Sequence, residues 1–176
     1  MVCDTNNVRV IRRFSETIME LSSGELSEIS AAFDWNISRE SYWQRIYDKT
    51  ASLFCTAAES GGVLSGAPEE ECQALYRYGY NLGMAFQIMD DVLDFQGTEE
   101  ELGKPVGGDL LQGTLTLPAL LYADRHPEET AVVRLRDGSR ETDDLQALVD
   151  LIRGSAIIDE AIAVMNGYRD RALASL

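Results

Sequence analysis

The stretch Phe86-Gln87-Ile88-Met89-Asp90-Asp91-Val92-Leu93-Asp94-Phe95 sets three carboxylates and an amide inside an otherwise apolar, helix-forming run. At about 100° per residue, Gln87, Asp90, Asp91 and Asp94 fall within roughly a 100° arc of one helix. Leu75, Gly79, Leu82, Phe86, Met89 and Leu93 step by four and three, the pattern of a core-facing stripe. The acidic arc lies about 110° round from that stripe, so it is expected to border the core. Four hard oxygen donors gathered there, with no base close by in sequence, suit a hard cation such as Mg²⁺. The same pattern also describes an ordinary solvated helix face, and both readings stand at this point.

Working outward, this helix is expected from about Glu69 to Phe95, with Gly97 stopping it. The segment from Thr98 to Asp109 contains Gly103-Lys104-Pro105-Val106-Gly107-Gly108-Asp109, which cannot be regular helix. Lys104 there is either a solvated loop lysine or one that folds back over whatever the carboxylates hold. Upstream, residues 8–30 read as a helix with a weak point at Ser22-Ser23-Gly24. Ser38 with Ser41 reads as the N-cap of the next helix. Tyr42, Ile46, Lys49, Leu53 and Ala57 mark its inward face, and Gly61-Gly62 with Ser65-Gly66-Ala67-Pro68 ends it. Lys49 is the exception in that stripe. Its stem either runs along apolar surface to water, or its ammonium points into a cavity that holds an anion.

Downstream, Thr114 to Tyr122 opens a helix with Pro118 in its first turn. A short helix is expected from Pro127, a turn at Asp137-Gly138-Ser139, and helices near 141–153 and 156–174. No strand pattern, repeat or low-complexity linker is found, so the fold class is all-α.

The chain has 176 residues, with 15 Lys plus Arg against 30 Asp plus Glu, a net charge of −15. A field of that sign argues against nucleic acid as a partner. The 45% apolar content is that of a globular protein, not a disordered one. Cys3, Cys55 and Cys72 are scattered and His126 is the lone histidine, which excludes a conventional zinc site and a disulfide framework. With no secretory signal or long apolar run, a reduced, cytoplasmic setting is expected.

Four stretches in register resemble the trans-polyprenyl diphosphate synthase family. Phe86-Gln87-x-x-Asp90-Asp91-x-x-Asp94 resembles its second aspartate-rich motif. Gly103-Lys104-Pro105-x-Gly107-x-Asp109-Leu110-x-x-Gly113-x-x-Thr116-Leu117-Pro118 resembles the loop that follows. Gly24-Glu25-Leu26 and Tyr47-x-Lys49-Thr50-Ala51-x-Leu53-Phe54 resemble two upstream signatures. The resemblance implies a helical bundle of the isoprenoid synthase type. It implies that Asp90, Asp91 and Asp94 hold Mg²⁺ ions bridging an allylic diphosphate, and that Lys49 and Lys104 contact the same diphosphate. Gln87 would line the site, with Thr50 and Asp109 supporting it; Asp90, Asp91 and Lys49 would carry the catalysis. The second substrate would be isopentenyl diphosphate. A homodimer is implied, partly through residues 8–30, as is peripheral membrane contact through a long-chain product, which the −15 charge does not assist.

The departures from the pattern carry expectations too. The family has a first Asp-Asp-x-x-Asp motif with arginines after it, and this sequence has neither. Residues 1–176 are therefore expected to be the C-terminal part of a single synthase domain lacking its N-terminal helices, a fragment inactive by itself. Thr114 stands where many relatives have a lysine, which favours a medium- or long-chain product. The competing readings are a non-catalytic subunit that binds and modulates a synthase, and a terpene cyclase, which the Gly-Lys-Pro loop fits less well. Apolar residues such as Phe14 and Ile18 are expected to stay exposed and to drive self-association.

Overall fold

A computed structural model describes residues 2–97, 103 and 105–176, whose regular structure is all helix, with no strand among them. After a 3₁₀ turn at Val2–Thr5 come α1 (Val8–Ser30), α2 (Arg39–Ile46), a π-helical turn (Tyr47–Ala51), α3 (Ser52–Ser65) and α4 (Glu69–Gln96). These are followed by α5 (Gly108–Leu111), α6 (Leu117–Arg125), α7 (Thr130–Arg136), α8 (Thr142–Arg153) and α9 (Ile157–Leu173). The all-α expectation holds, and the expected weak point in α1 at Ser22-Ser23-Gly24 is ordinary helix. Ser38 caps α2 as expected, its Oγ accepting the Ser41 N–H at 3.1 Å. Helix α3 runs straight through Gly61-Gly62 and stops only at Gly66, whose φ of 76° gives the left-handed cap. The short helix after Pro127 begins later than expected, where Glu129 accepts the Thr130 N–H.

The chain divides into two compact units, one of Met1–Ser27, Trp43–Gln87 and Met165–Leu176, the other of Glu28–Tyr42 and Ile88–Val164. The first is built around the π-helical turn. Expected inward positions Leu53 and Ala57 are exposed, while Ala51 and Cys55 are fully buried. The reason is the extra residue of a π turn: buried positions step by four from Tyr42 to Ile46, by five to Ala51, then by four to Cys55. Extrapolating α-helical periodicity through this point puts the stripe on the wrong side of α3. Glycines let neighbouring backbones close on the turn. A Cβ on Gly24 of α1 would lie 2.7 Å from Lys49 N, and one on Gly83 of α4 would lie 2.6 Å from Ala51 Cα. On α1 the buried residues Val10, Thr17 and Gly24 recur every seven positions, and Thr17 Oγ1 lies 2.5 Å from Thr56 Oγ1 on α3.

In the second unit α7 and α8 pack together across the turn at Gly138, whose φ is 96°. Ile88, Val92, Phe95, Leu148 and Ile152 are among its buried residues. Here the stripe expected on α4 needs correction. Phe86 is 57% exposed and Leu93 43%, whereas Met84, Ile88 and Val92 are fully buried. Both faces of this helix are apolar, so periodicity alone could not choose between them. The buried face is the one that also carries Asp91. The three cysteines are free thiols, and burial pushes that of Cys55 up to about 12. Among the described residues no helix is long and apolar enough to cross a membrane.

Substituting Gly83→Ala is expected to lower the unfolding free energy by about 1–3 kcal/mol, because backbone and not a flexible side-chain end must give way. Gly61, also in a helix but with open space around it, serves as the control. Gly61→Ala should be neutral or stabilising by up to about 1 kcal/mol. Urea denaturation midpoints of the two variants measure both.

Candidate functional site

Within the second unit, Asp90 is exposed on α4 while Asp91 and Asp94 are each only 2% exposed. A buried carboxylate is costly unless donors surround it. Asp91 Oδ2 accepts a 2.6 Å hydrogen bond from the hydroxyl of Tyr42, itself fully buried on α2. The same oxygen lies 3.5 Å from the backbone N of Leu117, the first residue of α6. That is long for a hydrogen bond but well placed for the positive end of a helix dipole. Asp94 Oδ2 accepts the Asp109 N–H at 3.1 Å, and its backbone carbonyl accepts the Gly107 N–H at 2.8 Å. One aspartate thus anchors the start of α5 twice.

The glycine-rich segment is fixed at its far end too. Gly113, at φ 90°, accepts the Phe33 N–H at 2.9 Å, and a Cβ on Gly113 would run into the Phe33 ring. Phe33 itself sits at φ 61°, a left-handed conformation unusual for an aromatic residue, and Arg140 stacks 5.0 Å from its ring centre. Asp109 therefore belongs to a segment held by Asp94 at one side and Phe33 at the other, and its carbonyl accepts the Thr114 N–H. Lys104 lies outside the described residues.

In the first unit, Lys49 and Thr50 sit on the π-helical turn, both half-buried. Thr50 Oγ1 donates to Gln87 Oε1 at 2.5 Å. Asp48 is buried beside them with Gln44 donating to it at 2.9 Å, and desolvation raises its carboxyl above the usual range. On the same turn the Tyr47 hydroxyl lies 3.2 Å from that of Tyr76 and accepts from Arg13 at 3.3 Å. Burial raises both phenols.

Among the described residues no group of three or more His, Cys, Asp or Glu side chains is gathered tightly enough to enclose a metal ion. The chemistry of the α4 donors still fits a hard cation, since all are oxygens. One oxygen each of Asp91 and Asp94 is held by a protein donor, the device that orients metal-ligating carboxylates. Sequence reasoning missed Tyr42 as a partner of Asp91. The available signal was a tyrosine at a position expected to be buried, because a buried phenol needs a hydrogen-bond partner. The π turn left no comparable trace. Replacing Asp94→Ala is expected to speed hydrogen exchange at the Asp109 amide by about 10- to 100-fold, the size of a lost charge-assisted bond. Exchange followed by mass spectrometry across 105–114 measures it.

The chain resembles known proteins along its whole length. The family model described as Polyprenyl synthetase matches residues 1–152. Heptaprenyl diphosphate synthase component 2 of Bacillus subtilis is 39% identical over all 176 residues, which make up 50% of that relative. Octaprenyl diphosphate synthase of Escherichia coli is 40% identical over 136 residues, 76% of this chain and 42% of the relative. Among solved structures, heptaprenyl diphosphate synthase from Staphylococcus aureus superposes with a TM-score of 0.91 at 38% identity, covering 96% of this chain and 53% of that one. A polyprenyl synthase from Caulobacter crescentus, complexed with calcium and isoprenyl diphosphate, gives 0.84 at 35% identity, covering 99% of this chain and 54% of that one. The chain thus spans about half the length of the relatives it matches. With the all-helical fold and the anchored aspartates of α4, these matches make the chain a member of the polyprenyl synthetase family.

Proposed function

We propose that this chain supplies the second aspartate-rich half of a prenyltransferase active site, one that joins isopentenyl diphosphate to an allylic diphosphate. The observation that carries the reading is the helix turn Asp90-Asp91-x-x-Asp94, one carboxylate exposed and two buried and hydrogen-bonded. A relative whose structure contains calcium and isoprenyl diphosphate supports it.

In this reading Asp90, Asp91 and Asp94 hold Mg²⁺. When bound, the metal neutralises the diphosphate and favours its departure from the allylic carbon. Lys49, half-buried on the π turn, sets its ammonium against the charge that grows on the leaving diphosphate, and Lys104 acts in the same sense. Thr50 holds the side-chain amide of Gln87, and Gln87 lines the site. Asp94 and Asp109 hold the glycine-rich segment in place. Apolar helix faces keep water from the allylic cation until the double bond of isopentenyl diphosphate attacks it. The proton then released passes to the departed diphosphate. The heptaprenyl and octaprenyl names of relatives, with Thr114 in place of a lysine, favour a medium- or long-chain product.

The chain spans about half of its relatives' length, and we assign turnover to these residues acting together with a counterpart of the part of the relatives that they do not match. The decisive assay is incorporation of labelled isopentenyl diphosphate with Mg²⁺ and an allylic primer, with and without the N-terminal half of a relative. Product is expected only on complementation, and Asp90→Ala should reduce it at least about 100-fold, the loss of several kcal/mol of charge stabilisation. Product from the chain alone would overturn the assignment of one half-site.

A second reading is favoured by one observation: the Bacillus subtilis and Geobacillus stearothermophilus relatives are named component 2 of a synthase. Under it, the chain acts as a subunit that binds and modulates a partner, and an intact activity with Asp91→Ala would support it. Both readings include association through α1, where Val8, Ile18, Met19, Leu26 and Ile29 are 64–72% exposed. Sedimentation at micromolar concentration is expected to give a dimer, and the double variant Ile18→Asp, Met19→Asp a monomer.

A further inference from the structure

Among the described residues, Asn6 and Phe33 are the non-glycine residues at positive φ, at 52° and 61°. An asparagine visits that region readily, whereas an aromatic residue does so at a cost and stays only where its surroundings hold it. What holds Phe33 is Gly113. The Phe33 N–H donates to the Gly113 carbonyl at 2.9 Å, and a Cβ on Gly113 would lie 2.5 Å from Cδ2 of the Phe33 ring. Gly113 is itself at φ 90°, so glycine suits the position both in backbone conformation and in leaving room for the ring. The Arg140 guanidinium lies 5.0 Å from the ring centre and adds a cation–π contact. Beyond this contact the chain closes on itself: the Gly113 N–H donates to the Leu110 carbonyl and the Thr114 N–H to that of Asp109, both at 2.9 Å. Leu110 and Leu115 are 0% and 1% exposed, which ties the same turn to the interior. A displacement of Gly113 is therefore passed to Asp109. A segment that merely joined α5 to α6 would gain nothing from a strained phenylalanine at its end. We propose that Phe33 is a positioning residue: its left-handed turn latches Gly113 and so holds the glycine-rich segment, with Asp109, in the arrangement that receives the allylic diphosphate. This rests on the assignment of that segment to the diphosphate site. Phe33 acts through Gly113 and touches no reacting atom.

The test uses the full chain in the complemented incorporation assay, with each substrate varied in turn. Phe33→Asn keeps a residue suited to the left-handed turn and removes the ring. It is expected to raise KM for the allylic diphosphate by about 10- to 100-fold, the cost of a misplaced binding group, with KM for isopentenyl diphosphate unchanged. Phe33→Tyr, which keeps the ring, should restore the parent values. A fall in kcat with both KM values unchanged is what a smaller folded fraction would give, and it overturns the proposal. Parent values in Phe33→Asn, or no recovery in Phe33→Tyr, overturn it as well. If the parent chain gives no product even when complemented, the proposed function fails, and hydrogen exchange across 105–114 decides the latch separately. There Phe33→Asn should speed exchange at the Gly113 and Thr114 amides by at least about 10-fold, and unchanged exchange overturns the latch. Should Phe33→Asn show no urea transition, Phe33→Leu, which fills more of the ring's space, takes its place under the same criteria.

Discussion

A carboxylate kept almost wholly out of water must be given donors, and in this chain that requirement organises an entire unit. Asp91 and Asp94 lie on the buried side of α4, between Ile88, Val92 and Phe95. Each hydrogen bond to such a charge contributes about 1.5–3 kcal/mol, and leaving it unmade costs more. The partners come from three places far apart in sequence: the Tyr42 hydroxyl, the N-terminus of α6, and the backbone of Asp109. Satisfying two aspartates therefore fixes where Tyr42, α5 and α6 lie against this stretch of α4. A purely apolar helix face would have packed the same neighbours with less directional constraint.

The glycines answer a second constraint, close approach. Gly24 and Gly83 permit the backbones of α1 and α4 to close on the π turn that carries Lys49 and Thr50. A side chain at either position would hold those helices off by the width of a methyl group. The Gly24-Glu25-Leu26 signature thus has a physical reading independent of any family: its glycine is a contact surface for the Lys49 peptide.

Much of this was legible in the sequence. The helix bounds of α1, α4, α8 and α9 follow from caps, glycines and periodicity, and the Asp90-Asp91-x-x-Asp94 turn announces itself by charge in an apolar run. What could not be read has two causes. Phe86 and Leu93 looked like core because α4 is apolar on more than one face, and only tertiary packing decides which is covered. Leu53 and Ala57 looked inward because periodicity assumes an unbroken α-helix, whereas Tyr47–Ala51 adds a residue to the turn. The hydrogen bonds of Tyr42 and Asp109 join positions 49 and 15 residues from their partners on α4, beyond the reach of any local pattern.

The π turn also bears on how sequences of this kind tolerate changes in length. Loops such as Asp137-Gly138-Ser139 lie at the surface, where an inserted or deleted residue is absorbed locally. Removing one residue from Tyr47–Ala51 would instead restore the α-helical repeat and turn all of α3 by about 100° relative to α2. Ala51 and Cys55 would leave the interior and Leu53 would enter it. The five-residue step therefore constrains the number of residues between α2 and α3 more tightly than their composition.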